Sequence, residues 1–207
     1  RPRYAGKIIA VNNLIDIEGV RRKSLEAPEI VFPKDRFNIV SCGRLSPAKG
    51  MDMAIDACAE LVKRGFTAFH WWIVGGGPEE NALKAQVHRL HLEEYVTLLG
   101  MQANPYPYIR QADMYVQPSR FEAFGLTILE AQVLAIPVLS TRTDGGTELI
   151  KDGNTGILCD ADVGSIADGV QTLMAHPEMR QSCRDALARQ DFDAANKEIM
   201  RQLEMLF

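Results

Sequence analysis

The sequence predicts an α/β fold: a doubly wound, Rossmann-like parallel sheet with helices on both faces. Three observations carry that prediction. Short apolar runs close on turn residues and alternate with stretches of helical spacing, the pattern of βαβ units. Glycine or proline follows most of these runs. At 207 residues, 46% of them hydrophobic, the chain is large enough to bury a sizeable core, and it carries no internal repeat, low-complexity tract or Gly/Ser linker.

The elements follow in order. Residues 7–16 read as an extra strand and loop, and residues 17–36 hold the basic run Arg21-Arg22-Lys23, a solvated surface or a short helix, with two prolines. A strand is expected over 37–41. A helix follows over 51–63, with Met51, Ala54, Ile55, Cys58, Leu61 and Val62 at helical spacing. Further strands are expected over 71–74, 96–99, 113–116, 138–140 and 156–159. Helical stretches fall at 78–90, 104–111, 125–135, 145–150, 163–175, 178–189 and 193–206. Pro78 suits the first turn of its helix. The last helix carries only Ile199, Leu203 and Leu206 as an apolar stripe, which calls for a neighbour that this chain does not supply. Three segments result: an N-terminal extension over 1–36, a Rossmann-like domain over 37–190 and a C-terminal helix over 191–207.

Charge and cysteine usage narrow the function classes. The 23 basic and 27 acidic residues give a net charge of −4, which argues against a general nucleic-acid or anionic-membrane binder. No run approaches the ~20 apolar residues of a transmembrane helix. The start has no signal-peptide pattern and no initiator Met, so a fragment is expected. Cys42, Cys58, Cys159 and Cys183 form no C-x-x-C pair and read as buried thiols in a reducing cytoplasm. His88 and His91 share a helix face with no third ligand nearby, so they read as a surface pair, and no metal site is expected.

In an open parallel sheet, ligands bind beyond the carboxyl ends of the strands, so the loops there carry the candidates. Gly43 to Gly50 offers a sharp turn and two cations, Arg44 and Lys49, suited to a diphosphate or simply to a surface. It lacks the P-loop pattern. Gly75-Gly76-Gly77-Pro78 is not the dinucleotide fingerprint and reads as a tight turn into a helix. The segment from Pro118 to Ala131 is the richest. A helix starting near Gly125 would leave the amides of Phe124, Gly125, Leu126 and Thr127 free for an anion. Glu122 precedes that helix, and Glu130 lies within it beside apolar residues, where a carboxylate needs a partner. A sugar diol is one such partner; a helix cap and a core-edge glutamate are the alternative. Asp144-Gly145-Gly146-Thr147-Glu148 again opens a helix at this edge. No Ser-His-Asp order or Gly-x-Ser-x-Gly elbow is present.

Taken together, these segments resemble the C-terminal domain of a GT-B glycosyltransferase of the large retaining group called family 4, over about 38–159. The resemblance rests on Glu122 and Glu130 at E-x7-E spacing around Phe124-Gly125-Leu126. It rests also on Gly145-Gly146-Thr147-Glu148, Asp152-Gly153-Asn154-Thr155-Gly156 and Gly43-Arg44 with Lys49-Gly50. Asn13-Leu14-Ile15-Asp16 is similar to an Asn-Pro-x-Asp loop of the family, with Leu14 in place of the proline.

The resemblance implies a nucleotide-sugar donor site that works without a metal or other cofactor. Arg44 and Lys49 would neutralise the diphosphate, Glu122 would hold the donor sugar and Glu130 the ribose. The amides of Phe124 to Thr127 would touch sugar and phosphates, the loop at Gly100-Met101 would lie against the base, and Gly43 would count among the substrate-binding residues. Family frequency favours UDP over GDP. The acceptor, a sugar, polysaccharide or lipid-linked precursor, would be bound by an N-terminal domain preceding Arg1, in a bacterial enzyme of polysaccharide biosynthesis that is cytoplasmic or peripheral at the inner membrane face. The competing readings are a GT-B-type epimerase or phosphorylase and a binding-only nucleotide-sugar module. Missing the fingerprint after its first strand, the chain does not read as a NAD-dependent dehydrogenase.

Overall fold

The computed structural model describes residues 13–204. Its strands are β1 (Phe37–Cys42), β2 (Phe69–Val74), β3 (Val96–Gly100), β4 (Met114–Gln117), β5 (Val138–Thr141) and β6 (Gly156–Cys159). Its helices are α1 (Ile17–Lys23), α2 (Met51–Lys63), α3 (Glu80–Arg89), α4 (Tyr106–Arg110), α5 (Leu126–Val133), α6 (Asp144–Leu149), α7 (Val163–Ala175), α8 (Pro177–Ala188) and α9 (Phe192–Glu204). All six strands pair in parallel in the order β3-β2-β1-β4-β5-β6. The order reverses between β1 and β4, the crevice where an α/β sheet takes its ligand.

Alternate strand residues feed two cores. Ile39, Phe69, Trp71, Ile73, Met114, Val116 and Leu139 face the side covered by α2, α3 and α7. Val40, Trp72, Val74, Tyr115 and Val138 face the other side, with Ile109 of α4 and Ile128 of α5. Burial of the sheet on both faces is what makes these strands short apolar runs. The boundaries differ from the sequence expectation by a residue or two. β2 starts at Phe69 because His70, polar in sequence, is held in the sheet by Thr97 (Nε2 to Oγ1, 2.8 Å). The helix α5 stops at Val133 because Ala135 adopts φ 55°, which ends a right-handed helix.

The ends of the described chain dock together. Asp16 caps α1, accepting from the Gly19 amide at 2.9 Å, so the residue that resembled a family loop serves here as a helix cap. Arg21, Arg22 and Lys23 are exposed on the last turn of α1, where cations suit the helix dipole. The strand expected over 7–16 lies outside the described residues up to 12, and residues 13–16 form no strand. Phe192 of α9 is buried with Ile15, Ile17, Val20, Val133 and Leu187. The Asn196 side chain brackets the Ile15 backbone, donating to its carbonyl at 2.8 Å and accepting from its amide at 3.2 Å. The final helix thus has a neighbour within this chain; Ile199 and Leu203 are half-buried, and Leu206 lies outside the described residues.

Five segments at the carboxyl edge of the sheet are tied by backbone hydrogen bonds. The β1 loop receives at Ala48 the amides of Arg120 and Phe121 (2.9 and 3.1 Å) and gives the Leu45 amide to Gly76 (3.0 Å). The Gly75 amide reaches the Gly100 carbonyl (2.8 Å), and the Gly145 amide reaches the Glu122 carbonyl (2.9 Å). Such approaches leave no room for a Cβ. At Gly50 (φ 64°) a Cβ would collide with the Pro118 carbonyl oxygen, and at Gly75 (φ 144°) with that of Gly43.

We expect Gly50→Ala to cost at least ~3 kcal/mol, from strain plus collision. Gly65→Ala, also at positive φ (89°) but in open space, should cost only ~1 kcal/mol. Urea unfolding of the two variants checks the difference.

Candidate functional site

Two cavities flank the β1 loop at the switch point. The first, about 450 Å³, is lined by Cys42 to Arg44, Val74 to Pro78, Met101, Gln102 and Pro105. The second, about 300 Å³, is lined by Asn13, Lys49 and the run Glu122 to Thr127. The sequence candidates divide between them: Gly43, Arg44 and Met101 in the first, Lys49, Glu122, Phe124, Gly125, Leu126 and Thr127 in the second. Gly75 to Gly77, read in sequence as a plain turn, form a wall of the first cavity. Asp144 to Glu148 instead brace the Glu122 loop from behind, through the Gly145 amide.

Lys49 and Glu122 form an ion pair in the second cavity, their side chains 24% and 11% exposed. Each holds the other in a partly dehydrated place where a lone charge would be costly. Arg44 is exposed at the first cavity and has no ion pair among the described residues. The helix α5 begins at Leu126 behind Gly125 (φ 87°), which has no side chain to cap it. Its first amides therefore lie uncapped beside Lys49, a concentration of donors and positive charge.

Glu130 sits one level deeper. Its Oε1 accepts from the Tyr106 hydroxyl at 3.0 Å. Burial raises its pKa above the ordinary carboxylate value, and the Tyr106 hydrogen bond opposes that rise. The Cys42 thiol, on the wall of the first cavity, is pushed up to about 12, by burial first and then by the nearby Glu130 carboxylate. The Tyr106 phenol is likewise raised to about 12, by burial and then by Glu130.

Beneath both cavities runs a buried polar network the sequence reading missed. The Tyr115 hydroxyl donates to Gln117 Oε1 at 2.7 Å, and the Thr127 hydroxyl donates to the same oxygen at 3.1 Å. Gln117 Nε2 donates to Ser119 Oγ at 2.7 Å. Gln117 thereby holds the first turn of α5 onto the end of β4. The signal in sequence was a glutamine closing an apolar strand: a buried amide must be bonded to something. On the rim, Arg120 grips Asp52 with both nitrogens (2.7 and 2.6 Å), which holds Asp52 below its usual pKa, and also donates to the Pro47 carbonyl. His88 pairs with Glu93 at 2.7 Å, and all four cysteines are free and buried.

The sheet order and this crevice define the class: a Rossmann-like α/β domain with two cavities, cationic side chains and an uncapped helix start at its switch point. The chain belongs to the glycosyl transferases group 1 family, whose model matches residues 23–190. It is 32% identical over 175 residues to a Campylobacter jejuni protein, N-acetylgalactosamine-N,N'-diacetylbacillosaminyl-diphospho-undecaprenol 4-alpha-N-acetylgalactosaminyltransferase, covering 84% of this chain and 46% of that one. It is 36% identical over 154 residues to a GDP-mannose-dependent alpha-(1-6)-phosphatidylinositol monomannoside mannosyltransferase of Mycolicibacterium smegmatis, covering 69% of this chain and 40% of that protein. The fold is similar to Anabaena HepE in complex with UDP, at TM-score 0.73 and 26% identity over 83% of this chain and 49% of the other. The chain thus spans less than half the length of these curated relatives. Among the described residues, no helix is long and apolar enough to cross a membrane.

Two outcomes are expected. Gln117→Ala should cost about 3 kcal/mol in urea unfolding, because it takes the partner from the Ser119 and Thr127 hydroxyls and leaves a cavity, while the Tyr115 hydroxyl keeps the Cys42 carbonyl. Glu130→Gln should raise the Tm of the ligand-free chain at pH 8. A carboxyl whose folded pKa is raised stabilises the fold below its unfolded pKa and loses that contribution as pH rises through the folded value. The gain should therefore vanish at pH 4.

Proposed function

We propose that this chain is the donor half of a glycosyltransferase: it binds a nucleotide-diphosphate sugar and, with an N-terminal domain, transfers the sugar to an acceptor with retention and without a metal. One observation carries the proposal: Lys49 paired to Glu122, the uncapped start of α5, and Arg44 surround two adjoining cavities at the switch point. Relatives whose names state UDP and GDP-mannose support a nucleoside-diphosphate donor. UDP is the favoured base-bearing group and GDP the alternative.

In this reading the nucleoside lies in the first cavity, with the base against Gly100-Met101 and the ribose hydroxyls on Glu130. The diphosphate crosses the β1 loop between Arg44 and Lys49. The sugar lies in the second cavity, its hydroxyls on Glu122. Lys49 has three donors, so it can keep Glu122 and still reach a phosphate oxygen. Breaking the anomeric carbon–phosphate bond builds negative charge on the leaving diphosphate. Fixed cations and helix amides stabilise that charge more in the transition state than in the ground state. A diphosphate oxygen then takes the acceptor's proton as the acceptor attacks from the face the leaving group vacates. The acceptor, a sugar, polysaccharide or lipid-linked precursor, is bound by the other domain in the cytoplasm or at the inner membrane face.

Calorimetry with UDP and GDP, with and without magnesium, tests the donor site. One nucleotide should bind equally in EDTA and in magnesium, and Arg44→Ala and Glu130→Ala should each weaken it about tenfold. Binding of neither nucleotide, or binding only with magnesium, contradicts the proposal. In the full-length enzyme, Lys49→Ala should lower kcat by ~3 kcal/mol, roughly a hundredfold, with a smaller change in donor KM. A product with inverted anomeric configuration, read by proton NMR, would remove the retaining step.

A further inference from the structure

We propose that Tyr106 is a positioning residue for Glu130: its phenol fixes one carboxylate oxygen so that the other remains free to accept hydroxyls of the donor's ribose. The inference rests on the donor-site reading above and assigns a part to a residue outside the E-x7-E pair.

The geometry carries it in three steps. First, the Tyr106 hydroxyl is the sole donor to Glu130 among the described side chains, at 3.0 Å to Oε1. A carboxylate has about four lone-pair sites, so one phenol leaves capacity for a diol. Second, Tyr106 is itself held in place. It opens α4 between Pro105 and Pro107, whose rings fix their own φ angles. The Tyr106 amide donates to Asn104 Oδ1 at 3.2 Å, and Asn104 Nδ2 is tied to the Lys23 carbonyl at 2.9 Å and Glu26 Oε2 at 2.8 Å. The tyrosine ring packs against two core clusters at once. Third, Pro105 lines the first cavity, so this braced segment adjoins the space assigned to the nucleoside.

A tyrosine that merely filled space would leave the carboxylate's titration alone; a positioning phenol would not. Glu130 is faced by Tyr106 from α4, by Cys42 from β1 and by Tyr115 from β4. Burial keeps all three of these neutral through pH 5–9. Lys49 acts on Cys42 and Asp16 on Tyr106 from further away, and neither is altered by changing Tyr106. Removing the phenol hydroxyl removes the bond that favours the charged carboxylate, so protonation should reach higher pH.

The test is calorimetry with UDP, GDP and their 2′-deoxy counterparts at pH 5.5 and 8, on the wild-type chain, Tyr106→Phe and Glu130→Gln. The wild type should prefer the ribonucleotide over its deoxy form at both pH values. Tyr106→Phe should lose roughly tenfold of that preference, and going from pH 8 to pH 5.5 should reduce what remains by more than it does in the wild type. Glu130→Gln should show a small preference that no longer varies with pH. No loss in Tyr106→Phe, or a preference that keeps the wild-type pH dependence, would overturn the positioning role while leaving the donor site intact. If Glu130→Gln keeps the wild-type preference, or the wild type binds neither nucleotide, the donor-site reading itself has failed. Carbon-13 NMR of the Glu130 carboxyl in the nucleotide-free chain gives a separate check: its midpoint must move up in Tyr106→Phe, and an unmoved midpoint refutes the proposal.

Discussion

Backbone hydrogen bonds between neighbouring loops at the carboxyl edge of the sheet set the shape of everything above them. Ala48 accepts two amides from the β4 loop, Leu45 reaches the β2 loop, Gly75 reaches the end of β3, and Glu122 accepts from the start of α6. These are short-range ties between segments far apart in sequence, and each demands that one partner lack a side chain or turn it away. The glycines of the chain are concentrated here for that reason. The two cavities are what remains between loops so tied, so their shape follows from the backbone itself.

The charges follow from the same arrangement. Because the β1 and β4 loops meet, Lys49 and Glu122 meet, and each makes the other tolerable in a half-buried place. Because Gln117 pins Thr127, the amides of α5 keep a fixed direction. Glu130 is the exception to comfort: burial disfavours its charge, and among the described residues only the Tyr106 hydrogen bond opposes that. A group kept in an unfavourable place within a well-satisfied network is where function is expected to outweigh stability.

Much of this was legible in the sequence, for a physical reason. A sheet buried on both faces writes itself as short apolar runs, and a parallel sheet puts its ligand loops at predictable places after them. Gly43, Arg44, Lys49, Glu122 and the start of α5 were found that way, and the cavities gather them. Relations across the chain were not legible. Nothing local to Tyr106 marks it as the partner of Glu130, and nothing near Lys49 shows that its counter-ion lies beyond the fourth strand. Gln117 left a local sign, a polar residue in a buried strand, but its partners are set by folding alone. Asp16 belonged to a segment that resembled a family loop, with no role attached to it; the fold gives it one, capping α1, while Asn13 of the same segment lines the second cavity.

In the proposed donor site the β1 loop and the start of α5 together hold a nucleoside diphosphate. Amide NMR of the chain titrated with UDP, and in parallel with GDP, tests it most directly. The largest shifts are expected on residues 43–50, 75–77, 100–102 and 124–127, on both sides of the switch point. Shifts confined to other surfaces, such as the β6 edge or the α8 face, would contradict it.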